Sequence, residues 1–414
     1  MRSQILQSIT ACTGIHHANA AGFSGTNATS ISIPSEFQYL LPDGYTGNLS
    51  QGFINTRLPD NTNSSLQNLF KSAAAAPFVS NSQDFDEIIG TSPDITLLSD
   101  RPGASWYFEC GAWVPERNDG WFTSSVLEGV TDVGVVNLDT GAVSQPAVES
   151  TPLANPNGGY YFNGSVYFGA IGNFNNSYGS GVFAIDTKTN QTRTVLNTYL
   201  GLPFNGVDDI TWATKRNADN TTSSYMFFTD VSFQSFAPIF KNRTPLLPNA
   251  VWRWDPQLDQ VLPVISKNDI GLPNGIRVNA ENDKLYVTDS GSTVIYGAGA
   301  ETNSTSPAIY EFDLDDRMRP VNKRLFGIAR EGLADGLKID DLGRVWTGEY
   351  EGVTVRSREG KVLGIFNSQY FQKGSAGHLA NFALAGDKLV LLSLDRLWMV
   401  RLNQTVTSKS ISEI

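Results

Sequence analysis

The chain has 414 residues, with 30 basic and 41 acidic side chains and a net charge of −11. That balance excludes nucleic acid, or an anionic membrane held by basic patches, as a partner. Hydrophobic residues at 40% and aromatics at 11% supply a core, while 17% charged residues and 38 glycines point to β-structure with many turns.

Residues 1–77 are rich in Ser, Asn and Gly and read as leader and surface extension, with one helical candidate at Leu66–Ala75. The opening Met1-Arg2, followed by an interrupted apolar stretch from Ile5 to Ala20, only loosely fits a signal peptide. Ten Asn-x-Ser/Thr sequons stand at Asn27, Asn48, Asn63, Asn163, Asn175, Asn190, Asn220, Asn242, Asn303 and Asn403. They predict a secreted glycoprotein, with a cytoplasmic protein as the alternative. No apolar run reaches the ~18 residues of a membrane span. Two cysteines, Cys12 and Cys110, exclude a disulfide framework and a thiolate zinc site.

Residues 78–98 regain strand character, from Phe78-Val79-Ser80 to Ile95-Thr96-Leu97-Leu98. From residue 109 a repeat sets in. Six polar residues, Glu109, Asn157, Asp208, Asn274, Asp335 and Asn381, each open a strand, at spacings of 48, 51, 66, 61 and 46 residues. After each comes a second strand, such as Leu285-Tyr286-Val287-Thr288-Asp289 or Val345-Trp346-Thr347. A third alternates apolar and polar residues, as in Val251-Trp252-Arg253-Trp254-Asp255 and Ile309-Tyr310-Glu311-Phe312-Asp313. Repetition of three or four strands without helices predicts an all-β, six-bladed β-propeller over 78–405, followed by a tail at 406–414. Residues 78–98 are predicted to close the last blade.

The first strand of each blade lines the central channel of a propeller, so the six openers meet there. Glu109, Asp208, Asn274 and Asp335 offer three carboxylates and an amide, hard oxygen donors that suit Ca²⁺, with Mg²⁺ or Mn²⁺ as alternatives. The histidines are only His16, His17 and His378, which excludes a histidine-rich zinc cluster. Cys110 follows Glu109 and turns away from the channel, as a buried, inert thiol.

Three segments resemble the gluconolactonase, senescence-marker-protein and luciferin-regenerating-enzyme family, with fungal-type lactonohydrolases the nearest in kind. They are Phe108-Glu109-Cys110-Gly111-Ala112-Trp113, Leu272-Pro273-Asn274-Gly275-Ile276 and Ala334-Asp335-Gly336-Leu337-Lys338-Ile339-Asp340. The resemblance spans roughly 78–401. It implies one divalent ion, usually Ca²⁺, on Glu109, Asn274 and Asp335, and hydrolysis of a small-molecule lactone. Two departures stand out: Asp208 of Asp208-Asp209 replaces the family's usual Asn, and Ala334 replaces its proline.

Within that frame Asp335 is the expected general base, with Asp208 as the alternative and His378 as a rival. Asp209, Asn157, Asn381 and Glu349 are expected to contact substrate, Glu349 together with Tyr350 at the rim, and Asp209 alternatively orienting Asp208 or bonding to backbone. The loops at 230–250 and 290–307 are expected to select the substrate. Competing readings are a non-hydrolytic propeller enzyme (a cyclase, isomerase or strictosidine-synthase-like enzyme) and a metal- or ligand-binding protein.

Overall fold

The structure, a computed structural model, describes residues 26–27, 29–40, 64–125, 131–148, 151–233, 242–291, 307–372 and 379–408. His378, Cys12, His16 and His17 lie outside the described residues, as do Asn48, Asn63 and Asn303, the last residues of the predicted tail and most of the 290–307 loop.

Six antiparallel sheets follow one another along the chain. Blade one runs Glu109–Val114, Asp119–Thr123, Val133–Asn137 and Val143–Ser144. Blade two runs Pro156–Phe162, Ser165–Ile171, Ser180–Asp186 and Thr192–Leu196. Blade three runs Val207–Arg216, Thr222–Asp230, Ala250–Asp255 and Gln260–Ser266. Blade four runs Pro273–Val278, Lys284–Asp289, Ala308–Leu314 and Pro320–Ile328. Blade five runs Ala334–Ile339, Val345–Glu349, Gly352–Arg356 and Val362–Asn367. Blade six joins both ends of the chain: Asn381–Ser393 pairs with Arg396–Thr407, and that strand pairs with Asp94–Asp100. The first strands of successive blades pack against one another in order, and that of blade six packs against that of blade one, so the ring closes. This is the six-bladed propeller the repeat predicts.

Local chemistry explains the blades. In blade two, Phe162 faces Ser165 across a two-residue loop, Asn163-Gly164, with φ of 44° and 78°. Positive φ at both positions is what a type I′ hairpin turn requires, and Asn-Gly supplies it. Apolar residues then fill the gaps between blades. Tyr160, Tyr167, Trp212, Phe228 and Trp252 pack between blades two and three, with Phe162 stacked on Trp212 at 4.3 Å. Each such buried side chain contributes roughly 1.5–3 kcal/mol.

The N-terminal segment needs a correction. Of the predicted closing segment only the part in Asp94–Asp100 joins the last blade, and Thr26–Asn27 pairs with that strand as the outermost one. Phe78–Ser80 instead pairs with Val362–Asn367 of blade five, and Ser30–Ser32 pairs with it in turn. Between them Gln83–Ile89 is a helix whose Phe85, Ile88 and Ile89 are buried against blades five and six. The helix Ser64–Ala75 covers the predicted helical candidate.

Candidate functional site

In blades two to five the first strand slips register with its neighbour at its opening residues. The unpaired positions are Asn157-Gly158, Asp208-Asp209, Asn274-Gly275 and Asp335-Gly336. Such bulges bend a strand and re-aim its side chains. In blade one the slip falls between Cys110 and Ala112. Glycine after the opener has a packing cause. A Cβ on Gly158 would lie 2.4 Å from the Asp208 carbonyl, and one on Gly275 would lie 2.3 Å from that of Asp335. Threonine hydroxyls stitch neighbouring blades together: Thr123 donates to Asn157 O at 3.0 Å, Thr229 to Asn274 O at 2.8 Å and Thr288 to Asp335 O at 2.9 Å. Those threonines recur near the end of the second strand, a signal the sequence itself carries.

Glu109, Asp208 and Asp335 are all buried at the channel. Burial, and then the negative charges of Asp335 and Asp208, hold the Glu109 carboxyl well above its usual range. Burial, and then Asp335 and Asp209, do the same to Asp208. The three acids, set on blades one, three and five, thus share one electrostatic field. Amides support two of them. Asn381 Nδ2 donates to Glu109 Oε2 at 2.8 Å, and Asn157 Nδ2 donates to Asp208 Oδ1. Glu109 Oε1, Asp208 Oδ2 and the side-chain amide of half-buried Asn274 make no hydrogen bond to the described residues. Among the described residues no three His, Cys, Asp or Glu side chains form a group able to hold a metal ion. A cation site here therefore needs an amide oxygen besides carboxylates. Asn274 has one unspent, in the blade between those of Asp208 and Asp335. Unspent oxygens on mutually repelling buried acids fit a hard divalent cation.

A basic layer lies further along the strands. Lys338, three residues beyond Asp335, is buried. Its Nζ donates to Asn381 Oδ1 at 2.8 Å and to Cys110 O at 3.1 Å. Burial, then the charge of Arg277, pulls its ammonium down to about 7. Arg277, also buried, stands 3.5 Å from Asp209 Oδ1 and donates to Gly159 O at 3.3 Å. The sequence reading gave neither cation a role. Cys110 is buried with φ of 76°, and burial pushes its thiol up to about 12, as an inert residue requires.

Three expected substrate contacts need revision. Asp209 accepts from Ile210 N at 2.8 Å and Ile276 N at 3.3 Å and faces Arg277, so its carboxylate is spent on the framework. Asn381 likewise spends its Oδ1 on Lys338 and on Phe382 N, the latter at 2.9 Å, and one amide hydrogen on Glu109. Asn157 keeps its Oδ1 unspent. Glu349 is held by Arg356 Nη1 and Thr347 Oγ1, both at 2.5 Å, and lines a cavity of about 410 Å³ with Tyr39, Ile328 and Arg330. Its neighbour Tyr350 answers to the acids instead. Burial, then the charge of Asp335, raises its phenol to about 12. Of the pair Glu349-Tyr350, Glu349 faces its own cavity, while Tyr350, in the turn that follows the strand, lies in the field of Asp335.

Comparisons with known proteins agree with the fold. Residues 226–370 match the family described as SMP-30/Gluconolactonase/LRE-like region. The chain is 27% identical over 327 residues to the lactonohydrolase oryL of Aspergillus oryzae, covering 75% of this chain and 70% of that one. A gluconolactonase from Xanthomonas campestris shares the fold at 20% identity and a TM-score of 0.59, over 79% of this chain and 95% of that one. The calcium-binding protein regucalcin from Agrobacterium tumefaciens does so at 14% identity and a TM-score of 0.52, over 75% of this chain and 94% of that one. The resemblance to the gluconolactonase, senescence-marker-protein and luciferin-regenerating-enzyme family is thus carried by a matched region that holds Asn274 and Asp335.

Proposed function

We propose that this chain hydrolyses a small-molecule lactone at the mouth of its channel, with a divalent cation, Ca²⁺ in the first instance. The observation that carries the reading is the set of unspent oxygens on Glu109, Asp208 and Asn274, beside the shared field of Glu109, Asp208 and Asp335. The lactonohydrolase and gluconolactonase names of the similar proteins support the reaction, and the calcium-binding description of regucalcin supports the ion. Glu109, Asn274 and Asp335 are the residues that would hold it. When bound, the cation supplies Lewis-acid polarisation of the lactone carbonyl.

Asp335 accepts a proton from the attacking water, and Asp208 is the alternative acceptor. The water oxygen bonds to the carbonyl carbon, and the ring C–O bond breaks. The proton passes to the departing alkoxide, giving a hydroxy acid. Asn381 holds Glu109, and Asn157 holds Asp208, in place throughout. Burial, then the charge of Asp335, keeps the Tyr350 phenol protonated at neutral pH. A pH-stat screen of sugar, pantoyl and aromatic lactones, with and without Ca²⁺, tests the reading. Cation-dependent acid release is expected. Release from none of them removes it, and a rearranged product without acid release moves the reading to an isomerase.

A further inference from the structure

A second concavity, of about 600 Å³, opens beside the channel mouth. Its walls are the connections that leave and enter strands at the end where Asn157 and Asp208 open theirs. They are Pro152 and Leu153 ahead of blade two, the link between its second and third strands, the crossover into blade three, and residues 242–246 of blade three, with Thr194 of the fourth strand of blade two beside them. Ser180, in the wall, accepts from Val207 N at 3.4 Å, and Val207 precedes Asp208. Buried Arg243 donates to Ser177 Oγ at 3.2 Å and ties the two facing walls together.

The lining has a distinct chemistry. None of its residues is charged, in a chain whose net charge is −11. The amides of Asn175, Asn197 and Asn242 and the hydroxyls of Thr194, Thr198 and Thr244 make no side-chain hydrogen bond to other described residues. Tyr178 stands 79% exposed at the rim. Among the described residues the nearby cation Arg243 is buried behind the lining and turned to Ser177, so a carboxylate or phosphate meets no charged side chain at the surface, while a purely apolar ligand would displace water from the amides. Amides and hydroxyls that both donate and accept, beside an exposed aromatic face, suit vicinal hydroxyl groups on a ring with an apolar face.

We infer that this cleft is a binding site for a neutral saccharide, separate from the acids of the channel. Two sources share that chemistry. One is a free sugar or sugar-bearing molecule. The other is a glycan of this chain, since Asn175 and Asn242, both in the lining, begin sequons.

The test uses the full chain made in bacteria, without glycans, and saturation-transfer NMR and calorimetry with a panel of neutral mono- and disaccharides, with gluconate as the anionic control. Saturable binding of a neutral sugar is expected, weakened about tenfold or more by Tyr178→Ala and by Asn197→Ala, with both variants keeping the native melting temperature. Glu109→Gln is expected to bind the sugar as the native chain does, so failure of the hydrolase reading leaves this result standing. Absence of binding across the panel overturns the inference, as does binding untouched by both variants or equal binding of gluconate. Chain from a glycosylating host separates the sources. If sugar then binds only after enzymatic deglycosylation, the cleft houses the chain's own glycan; if it binds before, the ligand is free saccharide.

Discussion

The side-chain amide of Asn381 donates to Oε2 of Glu109 across 2.8 Å, joining the last blade to the first. Its other end accepts from Lys338 at 2.8 Å, so one amide is wedged between a buried acid and a buried cation. Asn381→Leu keeps the bulk and removes both bonds. Each stranded group then bears its own desolvation cost, and a loss of roughly 2–4 kcal/mol in denaturant unfolding is expected. An unchanged midpoint would show that this link bears no weight.

Asp335 and Glu109 are asked for different things. Asp335→Asn keeps an oxygen donor and removes the proton acceptor, so kcat should drop roughly 10²–10⁴-fold. Glu109→Gln should weaken cation binding first, and excess Ca²⁺ should restore part of its turnover. Turnover abolished by His378→Ala, with Asp335→Asn rescued by added cation, reassigns the base to His378.

Gly275 has no room for a methyl group, because its Cβ would sit 2.3 Å from a backbone oxygen of the next blade. Gly275→Ala should therefore push Asn274 and Asp335 apart, costing about 1–3 kcal/mol in stability. Lanthanide luminescence should show weaker cation binding. Native affinity in this variant would place the cation elsewhere.

Lys338 gives the fold a pH dependence. Its folded value near 7 lies below the roughly 10.4 of an unfolded lysine. The unfolded chain therefore binds the extra proton between those values, and stability from this group rises with pH. That contribution is full above about 10.4 and is lost as pH falls through 7. Lys338→Met should erase this part of the slope in melts taken from pH 6 to pH 10. Parallel slopes for variant and native chain would mean the amine is not buried as described.

Secretion remains our expectation, with glycans on several of Asn163, Asn190, Asn220, Asn242 and Asn303. Mass spectrometry of protein from its native host decides it, and an unmodified chain retaining Met1 argues for the cytoplasm.

The ring of blades was legible because alternation and a polar strand-opening residue recur six times, and both are local signals. Sequon density was less informative than it looked. Asn163, Asn190 and Asn220 have φ of 44°, 57° and 66°, a left-handed backbone that asparagine tolerates, so turn chemistry alone accounts for their identity. Phe78–Ser80 was given to the wrong blade because all three residues are buried, which erases alternation, and because its partner is far away in the chain. Lys338 and Arg277 were passed over because a basic residue is expected at the surface, and only the folded ring shows the oxygens that let them lie inside. Glu349 and Tyr350 were read together because composition cannot say which of two neighbours faces inward.

Blade six carries a consequence for synthesis. Arg396–Thr407 leaves the ribosome long after Asp94–Asp100, yet it must dock on it, where Arg396 meets Asp100 at 3.2 Å across 296 residues. Contacts of such high order are made late. A product terminated before Arg396 would strand two unpaired edges, on Asn381–Ser393 and on Asp94–Asp100, each a template for aggregation. Truncated translation products should therefore be cleared or precipitate rather than persist as weakened enzyme, so the closing strand acts as a check on completeness.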